Sequence, residues 1–308
     1  PCYNSFDLLK KTLLNFEKCD TSSYQFIIVD DCSSDASWAN LKSYADNSTL
    51  NLVIYRNEVN KGPGHSRNQG IQLSSGDYIT FMDADDCLVN SFFSDIAAYL
   101  DGENDCIIFD YTVPKVGSKH MLMLNCKAGV IKRNEALVYT RGMTWGKIYR
   151  ASTIESNGIK FLNSKINEDM PFTKVALSKM KKIVYVPISY YVYEQVPSSL
   201  MHDKTLLNAD YAKIAFEYIN KSIDDSFYNE KEAIYALECV YAMSMTYAYQ
   251  LDKTDWKNKI KELEKLYPHY LENGYVKKYC LLHKAILKFT HLKMYYCVRF
   301  FSRIKFKV

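Results

Sequence analysis

Along residues 1–110, short apolar runs alternate with segments in which apolar residues recur every three or four positions. The runs are Gln25–Val29 (QFIIV), Leu52–Tyr55 (LVIY), Tyr78–Met82 (YITFM) and Cys106–Phe109 (CIIF), all of strand length. Between them, Leu9, Leu13 and Phe16 predict a helix capped by Ser5. Trp38, Leu41 and Tyr44 predict a second, capped by Ser34 or Asp35. A third helix opens at Gly62-Pro63-Gly64, with proline in a first-turn position, and a fourth follows Asn90 with Phe92, Phe93, Ile96 and Leu100. Strands alternating with single helices predict βαβ units and an α/β fold with a mostly parallel sheet. Such a sheet binds ligands outside the carboxyl ends of its strands, which directs the search for chemistry.

Residues 112–200 are less regular, with short strands expected at Ile183–Val186 and Tyr190–Tyr193 and helices near 133–140, 151–156 and 169–179. From about residue 203 the pattern is helical, with a face such as Ala233, Leu237, Val240, Tyr241 and Met245. A chain of 308 residues suggests about two domains at roughly 150 residues each. With 48% hydrophobic and 24% charged residues it can bury a full core, which excludes disorder and collagen-like repeats. No run approaches the roughly 18 apolar residues of a spanning helix. No basic segment followed by an apolar stretch opens the chain, so no secretory signal is expected in it.

Charge changes the picture only once it is divided. Nine Lys or Arg and no acidic residue follow Glu272; the 30 basic residues before it face 35 acidic ones, a balance of −5. A mildly acidic body with a basic end is not the distribution of a nucleic-acid-binding protein. The nine cysteines are dispersed with no CxxC pair, which argues against structural zinc and fits a reducing, cytoplasmic compartment.

Acidic residues stand at two predicted strand ends: Asp30-Asp31-Cys32-Ser33-Ser34-Asp35 and Asp83-Ala84-Asp85-Asp86. Three carboxylates in four residues repel one another unless a cation lies among them, and alternation turns Asp83 and Asp85 the same way. Mg²⁺ or Mn²⁺ is held in that fashion, its shell completed by substrate phosphates. The alternative is a solvated turn in which Asp86 caps the next helix. Between the two lies Asn60–Gly70 (NKGPGHSRNQG), where glycines allow close backbone approach and Arg67 offers a fork to phosphate. It matches neither the dinucleotide-binding GxGxxG nor a P-loop.

Taken together, Pro1-Cys2-Tyr3-Asn4, VDDCSSD at 29–35, NKGPGHSRNQG at 60–70 and SGDYITFMDADD at 75–86 resemble the family-2 inverting glycosyltransferases of the GT-A fold. The resemblance continues through Thr144–Arg150 (TWGKIYR), Asn167–Phe172 (NEDMPF) and Tyr190–Tyr193 (YYVY), covering roughly residues 1–200. It implies a Rossmann-like nucleotide-sugar-binding and catalytic domain over 1–200 and a helical C-terminal region over 201–308. Family members have a strand just before the P-x-Y-N motif, so a strand is expected ahead of Pro1.

The resemblance also implies roles. Pro1, Tyr3 and Asn4 would border the base pocket, Asp31 would bond the base with Asp30 in support, and Arg67 would lie near the ribose or diphosphate. Asp83 and Ala84 would meet the nucleotide-sugar, and Asp85 with Asp83 would hold Mn²⁺ or Mg²⁺. Asp169 would be the general base, with Glu168 its neighbour or an acceptor contact. Ser5 stands where glutamate is frequent, and Glu194 where arginine often follows the tyrosines. Three candidates have competing readings: Trp145 as a sugar platform or core residue, Lys147 as a phosphate contact or solvated lysine, and His202 as a metal or diphosphate contact or a surface residue. Glu168-Asp169 also suits a helix start, with Pro171 in its first turn.

The expected reaction is transfer from a nucleotide-diphospho-sugar, UDP-linked by expectation, to a hydroxyl of a saccharide or lipid-linked acceptor in bacterial polysaccharide synthesis. Alternatives are a sugar-phosphate nucleotidyltransferase, whose Gly-rich loop after the first strand is not seen, and an inactive GT-A-shaped binding protein at a membrane. On an ideal helix through 277–308, Lys277, Lys284, Lys288, Arg299 and Arg303 share one face. That end is read either as binding the inner, anionic membrane surface or as packed on its own domain.

Overall fold

The structure, a computed structural model, describes residues 1–114, 118–120, 122–123, 126–164, 167–194, 209–240, 253–279 and 281–306. The chain separates into two compact units, Pro1–Ser199 and Leu200–Val308.

In the first unit, helix α1 (Phe6–Phe16) buries Phe6, Leu9, Leu13 and Phe16, one face at helical spacing. Phe16 stacks on Phe26 at 5.4 Å and meets Phe93 edge-on at 5.1 Å, which docks α1 on strand β1 (Phe26–Asp30). Strand β2 (Leu52–Arg56) pairs in parallel with β1, from Phe26 opposite Leu52 to Asp30 opposite Arg56. Cys2 lies on the other side of β1, its N–H donating to Val29 O and its carbonyl accepting from Asp31 N–H, both at 2.8 Å. The expected caps are made differently. Ser5 Oγ turns back to accept from Tyr3 N–H, and Asp35 caps helix α2 (Ser37–Ala45) by accepting from Ser37 N–H at 2.9 Å.

Helix α3 (Pro63–Leu73) leads to a second sheet containing β3 (Tyr78–Thr80), β4 (Cys87–Leu88), β5 (Cys106–Val113), β6 (Ser118–His120), β7 (Gly129–Ile131), β8 (Lys147–Arg150) and β9 (Ile183–Val192). Its order is β3-β8-β5-β9-β4, with β6 beside β5 and β7 beside β9. The two longest ladders of the unit, β1/β2 and β5/β9, are parallel; the short flanking ones are antiparallel. Strands expected at 183–186 and 190–193 are one strand. Pro187 lies within it, between the Phe109–Val186 and Asp110–Ser189 pairs, where the register shifts and a missing N–H does little harm. Helices α4 (Phe92–Ile96), α5 (Arg133–Tyr139), α6 (Ala151–Ser156) and α7 (Asp169–Lys179) flank the sheets. A cavity of about 980 Å³ is lined by Ile27 and Val29 of β1 and by Ile79 of β3 with Phe81.

The core under the site is aromatic. Phe161 and Phe172 lie 3.8 Å apart and almost parallel, and Phe81 meets both edge-on at 5.1 and 5.5 Å. Each such ring contributes about 1.5–3 kcal/mol of burial, enough to fix the start of α7 on β3.

The second unit is helical: Ala209–Ser222, Tyr228–Ile234 running into a wider turn at Tyr235–Cys239, then Lys253–Glu264, Gly274–Lys277, Leu281–His291 and Tyr295–Phe306. Ala233, Leu237 and Val240 are buried as expected, while Tyr241 and Met245 lie outside the described residues. The basic end is not one helix. It breaks at Leu292–Met294, where Lys293 takes a left-handed φ of 55°, and Phe289 stacks on Phe301 across the bend at 5.3 Å. The lysines and arginines therefore do not form one continuous stripe. No described helix is long and apolar enough to cross a membrane.

Candidate active site

The site forms where β1, β3 and α7 present their ends. After β1, Asp30 is fully buried and closes its own turn, accepting from Ser33 N–H at 3.0 Å and Ser33 Oγ at 2.5 Å, with Arg56 Nε 3.3 Å away. Asp31 accepts from Asn57 Nδ2 at 2.7 Å, Lys61 N–H at 3.0 Å and Gly62 N–H at 2.7 Å. Gly62 has φ of 87°, which aims that N–H while the chain enters α3. Both oxygens of Asp31 are thus already engaged by the loop. Asn4, also left-handed at φ 50°, accepts from Ser34 N–H at 2.9 Å and donates to Ser34 Oγ at 3.1 Å, which ties the Pro1–Asn4 segment to the same turn. Tyr3 is half exposed beside it, and Pro1 lines the cavity together with Ser66 and Arg67.

Arg67 is the centre of the arrangement. Its side chain is 4% exposed; Nη1 donates to Glu168 Oε1 at 2.6 Å and Asp169 Oδ1 at 2.9 Å, and Nη2 to Asp83 Oδ1 at 2.7 Å. Gly64 allows this: a Cβ there would come within 2.3 Å of Leu162 O and 3.3 Å of Glu168, so α3 and the start of α7 approach as only glycine permits. Three carboxylates share this one guanidinium, and the charge of the buried Lys147 also acts on Asp169. Burial lowers the Arg67 pKa, but Asp169, Asp83 and Glu168 outweigh it and hold it above its usual value. Burial and the adjacent Asp169 push Glu168 up to about 7, and burial raises Asp169 against the pull of Arg67.

Asp83, Ala84 and Asp85 are partly exposed at the end of β3. Burial, then the charge of Asp83, raises the Asp85 carboxyl. Asp86 is buried and, rather than capping α4, accepts from Tyr191 Oη at 2.5 Å and Glu194 N–H at 2.7 Å; burial and Asp83 push it up to about 8. Tyr191 Oη also accepts from Asp83 N–H at 3.3 Å. Sequence reading missed this Asp86–Tyr191 pair; its signal was the YYVY run, which carried no role.

Two candidates are in the core. Trp145 is 4% exposed and stacks on Tyr191 at 4.4 Å and Tyr193 at 5.6 Å, so it packs the sheet rather than offering an open platform. Lys147 is not solvated: fully buried on β8, between β3 and β5, its Nζ donates to Met143 O and, at 3.4 Å, to Trp145 O, and its charge favours the ionised form of Asp169. His202 lies outside the described residues.

The fit for a divalent ion rests on Asp83 and Asp85. They are hard oxygen donors, and the Asp85 carboxyl is raised first by burial and then by the like charge of Asp83, which a cation would offset. Among the described residues no group of three His, Cys, Asp or Glu gathers round one point, so substrate phosphates would supply the remaining oxygens, as is usual for Mg²⁺ and Mn²⁺.

The glycosyl transferase family 2 model matches residues 1–168. The poly(ribitol-phosphate) beta-N-acetylglucosaminyltransferase TarS of Staphylococcus aureus (strain MW2) is 26% identical over 290 residues, covering 88% of this chain and 49% of TarS. The poly(ribitol-phosphate) beta-glucosyltransferase of Bacillus spizizenii is 32% identical over 202 residues, 62% of this chain and 31% of that protein. The chain thus spans half or less of the length of these relatives. The crystal structure of S. aureus TarS 1–349 in complex with UDP-GlcNAc superposes with a TM-score of 0.75 at 19% identity, covering 100% of this chain and 90% of that one. That likeness establishes the GT-A fold, and the family match decides membership: the chain belongs to glycosyl transferase family 2.

Proposed function

We propose that the protein transfers a sugar, with inversion, from a UDP-sugar to a hydroxyl of a saccharide, polyol-phosphate or lipid-linked acceptor in bacterial surface-polymer synthesis. One observation carries the reading: a single buried guanidinium, Arg67, bonds both the Asp83 end of the DADD turn and the Glu168-Asp169 pair, at 2.6–2.9 Å. Donor-side and base-side carboxylates are thereby held together. Asp169 accepts the acceptor hydroxyl proton as that oxygen bonds the anomeric carbon. The bond from that carbon to the diphosphate breaks on the opposite face, its electron pair leaving with UDP. Arg67 orients Asp169 and keeps part of the pair ionised. Asp83 and Asp85 would hold Mn²⁺ or Mg²⁺, which supplies positive charge to the departing diphosphate.

The test is turnover of UDP-GlcNAc, UDP-glucose and GDP-mannose with Mn²⁺ or with EDTA. Transfer from a UDP-sugar that EDTA abolishes is expected; turnover indifferent to EDTA removes Asp83 and Asp85 from the metal role.

We further place the protein in the cytoplasm, with its basic end against an anionic membrane surface. Exposed Leu281, Tyr296 and Phe300 lie among the lysines and arginines of the last two helices and support that reading. Co-sedimentation with phosphatidylglycerol vesicles, but not with phosphatidylcholine ones, is the expected outcome; equal recovery with both contradicts it.

A further inference from the structure

Among the described residues of the first unit, two lysines are fully buried, Lys147 on β8 and Lys174 on α7, and both donate to backbone carbonyls. A buried cation is costly unless a local field offsets the loss of water. Lys174 has such a field in α5: Leu137 O and Thr140 O stand at the carboxyl end of that helix, where positive charge is favoured. Lys147 caps no helix. Its Nζ donates to Met143 O and, at 3.4 Å, to Trp145 O, so it closes on the turn that leads into its own strand.

That turn, residues 142–146, lies against the start of α7. A Cβ on Gly142 would fall 2.8 Å from Met170 Cβ and Cγ, so no side chain fits between them. Thr173 Oγ1 donates to Met143 O, and Tyr149 Oη to Thr144 O, each at 3.3 Å. The carbonyls of Met143, Thr144 and Trp145 are thus all engaged by side chains of α7 and β8. The Thr144 N–H in turn acts on the carboxylate of Asp169, the first residue of α7.

Asp169 is accordingly held by two elements. Arg67, from α3, donates to Oδ1 at 2.9 Å, but it also serves Glu168 and Asp83. A shared guanidinium fixes one oxygen of the carboxylate and leaves its rotation about that bond open; a second donor, from the turn, closes it. Burial raises the Asp169 carboxyl, Arg67 lowers it, Asp83 raises it, and the Thr144 N–H and Lys147 then lower it. Burial and Asp169 raise Glu168, and Asp169 adds to the burial that raises the Tyr149 hydroxyl on β8. We propose that Lys147 is a positioning residue of the transfer reaction: by holding the Met143 and Trp145 carbonyls it fixes the 142–146 turn on the start of α7, and with it the carboxylate of Asp169 that takes the acceptor proton. The inference rests on the transferase reading above and goes beyond it to what positions the base.

The test compares Lys147→Met with Lys174→Met in the full chain. Both remove a buried ammonium from backbone carbonyls, and both should unfold at lower urea. Only Lys147→Met should move the Asp169 titration midpoint, upward by about half a pH unit, read by carboxyl-carbon NMR with Asp169→Asn assigning the signal. With UDP-GlcNAc as donor and a ribitol-phosphate trimer as acceptor, Lys147→Met should lower kcat about tenfold, as expected for a misplaced base, and leave KM for UDP-GlcNAc within twofold. If Lys147→Met does not fold, Thr173→Val, which removes only the hydroxyl on Met143 O, should lower kcat about threefold at unchanged donor KM. Equal kcat losses in the two lysine variants with the midpoint unmoved, or unchanged kcat in Thr173→Val, overturn the positioning role. Failure of the unmodified chain to turn over any nucleotide-sugar overturns the transferase reading instead, while the midpoint still reports whether Lys147 acts on Asp169.

Discussion

After β1 the chain places Asp30 and Asp31; after β3 it places Asp83, Asp85 and Asp86. In the first turn the carboxylate oxygens meet donors from Ser33, Asn57, Lys61 and Gly62 at 2.5–3.0 Å. In the second, Asp85 is raised by burial and by Asp83, and Asp83 leans on Arg67. The first turn is finished by the protein; the second keeps an unbalanced negative charge that a ligand would complete. Acidic residues at a strand end therefore mark a site only where the loop supplies too few donors for them.

This contrast can be broken by substitution, and the largest effect belongs to Asp169, joined to the open turn through Arg67. Asp169→Asn should lower transfer about 10³-fold, the scale of losing a general base, with UDP affinity by calorimetry unchanged. Asp85→Asn should cost about 10²-fold in turnover and abolish the response to Mn²⁺, while the melting temperature holds or rises because a repelled charge is gone. Asp31→Ala should do the reverse. It removes the acceptor of Asn57 Nδ2 and of the Lys61 and Gly62 N–H groups and should cost about 3 kcal/mol in urea unfolding. Gly64→Ala, which forces α3 off Leu162 and Glu168, should cost about 2 kcal/mol and loosen the Arg67 contacts, visible as lower kcat.

The smallest effect is on pH. Glu168, Asp169 and Asp85 have raised carboxyl pKa values, so the folded state holds their protons more tightly than the unfolded chain. Their contribution to stability is greatest below about pH 4 and is lost as pH rises toward the value of about 7 reached by Glu168. With Asp169 as the general base, transfer should rise as that raised carboxyl ionises. Melting temperature and rate measured from pH 4.5 to 8 should therefore move in opposite directions; parallel curves would contradict the raised values.

Much of the fold was legible. The apolar runs became β1, β2, β3 and β5, and the spacing of Leu9, Leu13 and Phe16 became the buried face of α1. The motifs named Arg67, Asp83, Glu168 and Asp169, which the structure joins by hydrogen bonds. What they did not convey was direction: Arg67 faces carboxylates rather than standing as an open phosphate fork. The burial of Lys147 was not legible because β8 is flanked by β3 and β5, and sequence alternation does not reveal that a strand is interior. Lys174 is likewise fully buried, donating to Leu137 O and Thr140 O at 2.8 and 2.6 Å, with no local signal at all. The break at Lys293 carries neither glycine nor proline, so periodicity ran through it.

The most direct test of the account is the anomeric configuration of the first product formed from UDP-GlcNAc, read from the anomeric proton coupling by NMR. A single displacement with Asp169 as base predicts a β-linked sugar from the α-linked donor. An α-linked product would contradict it.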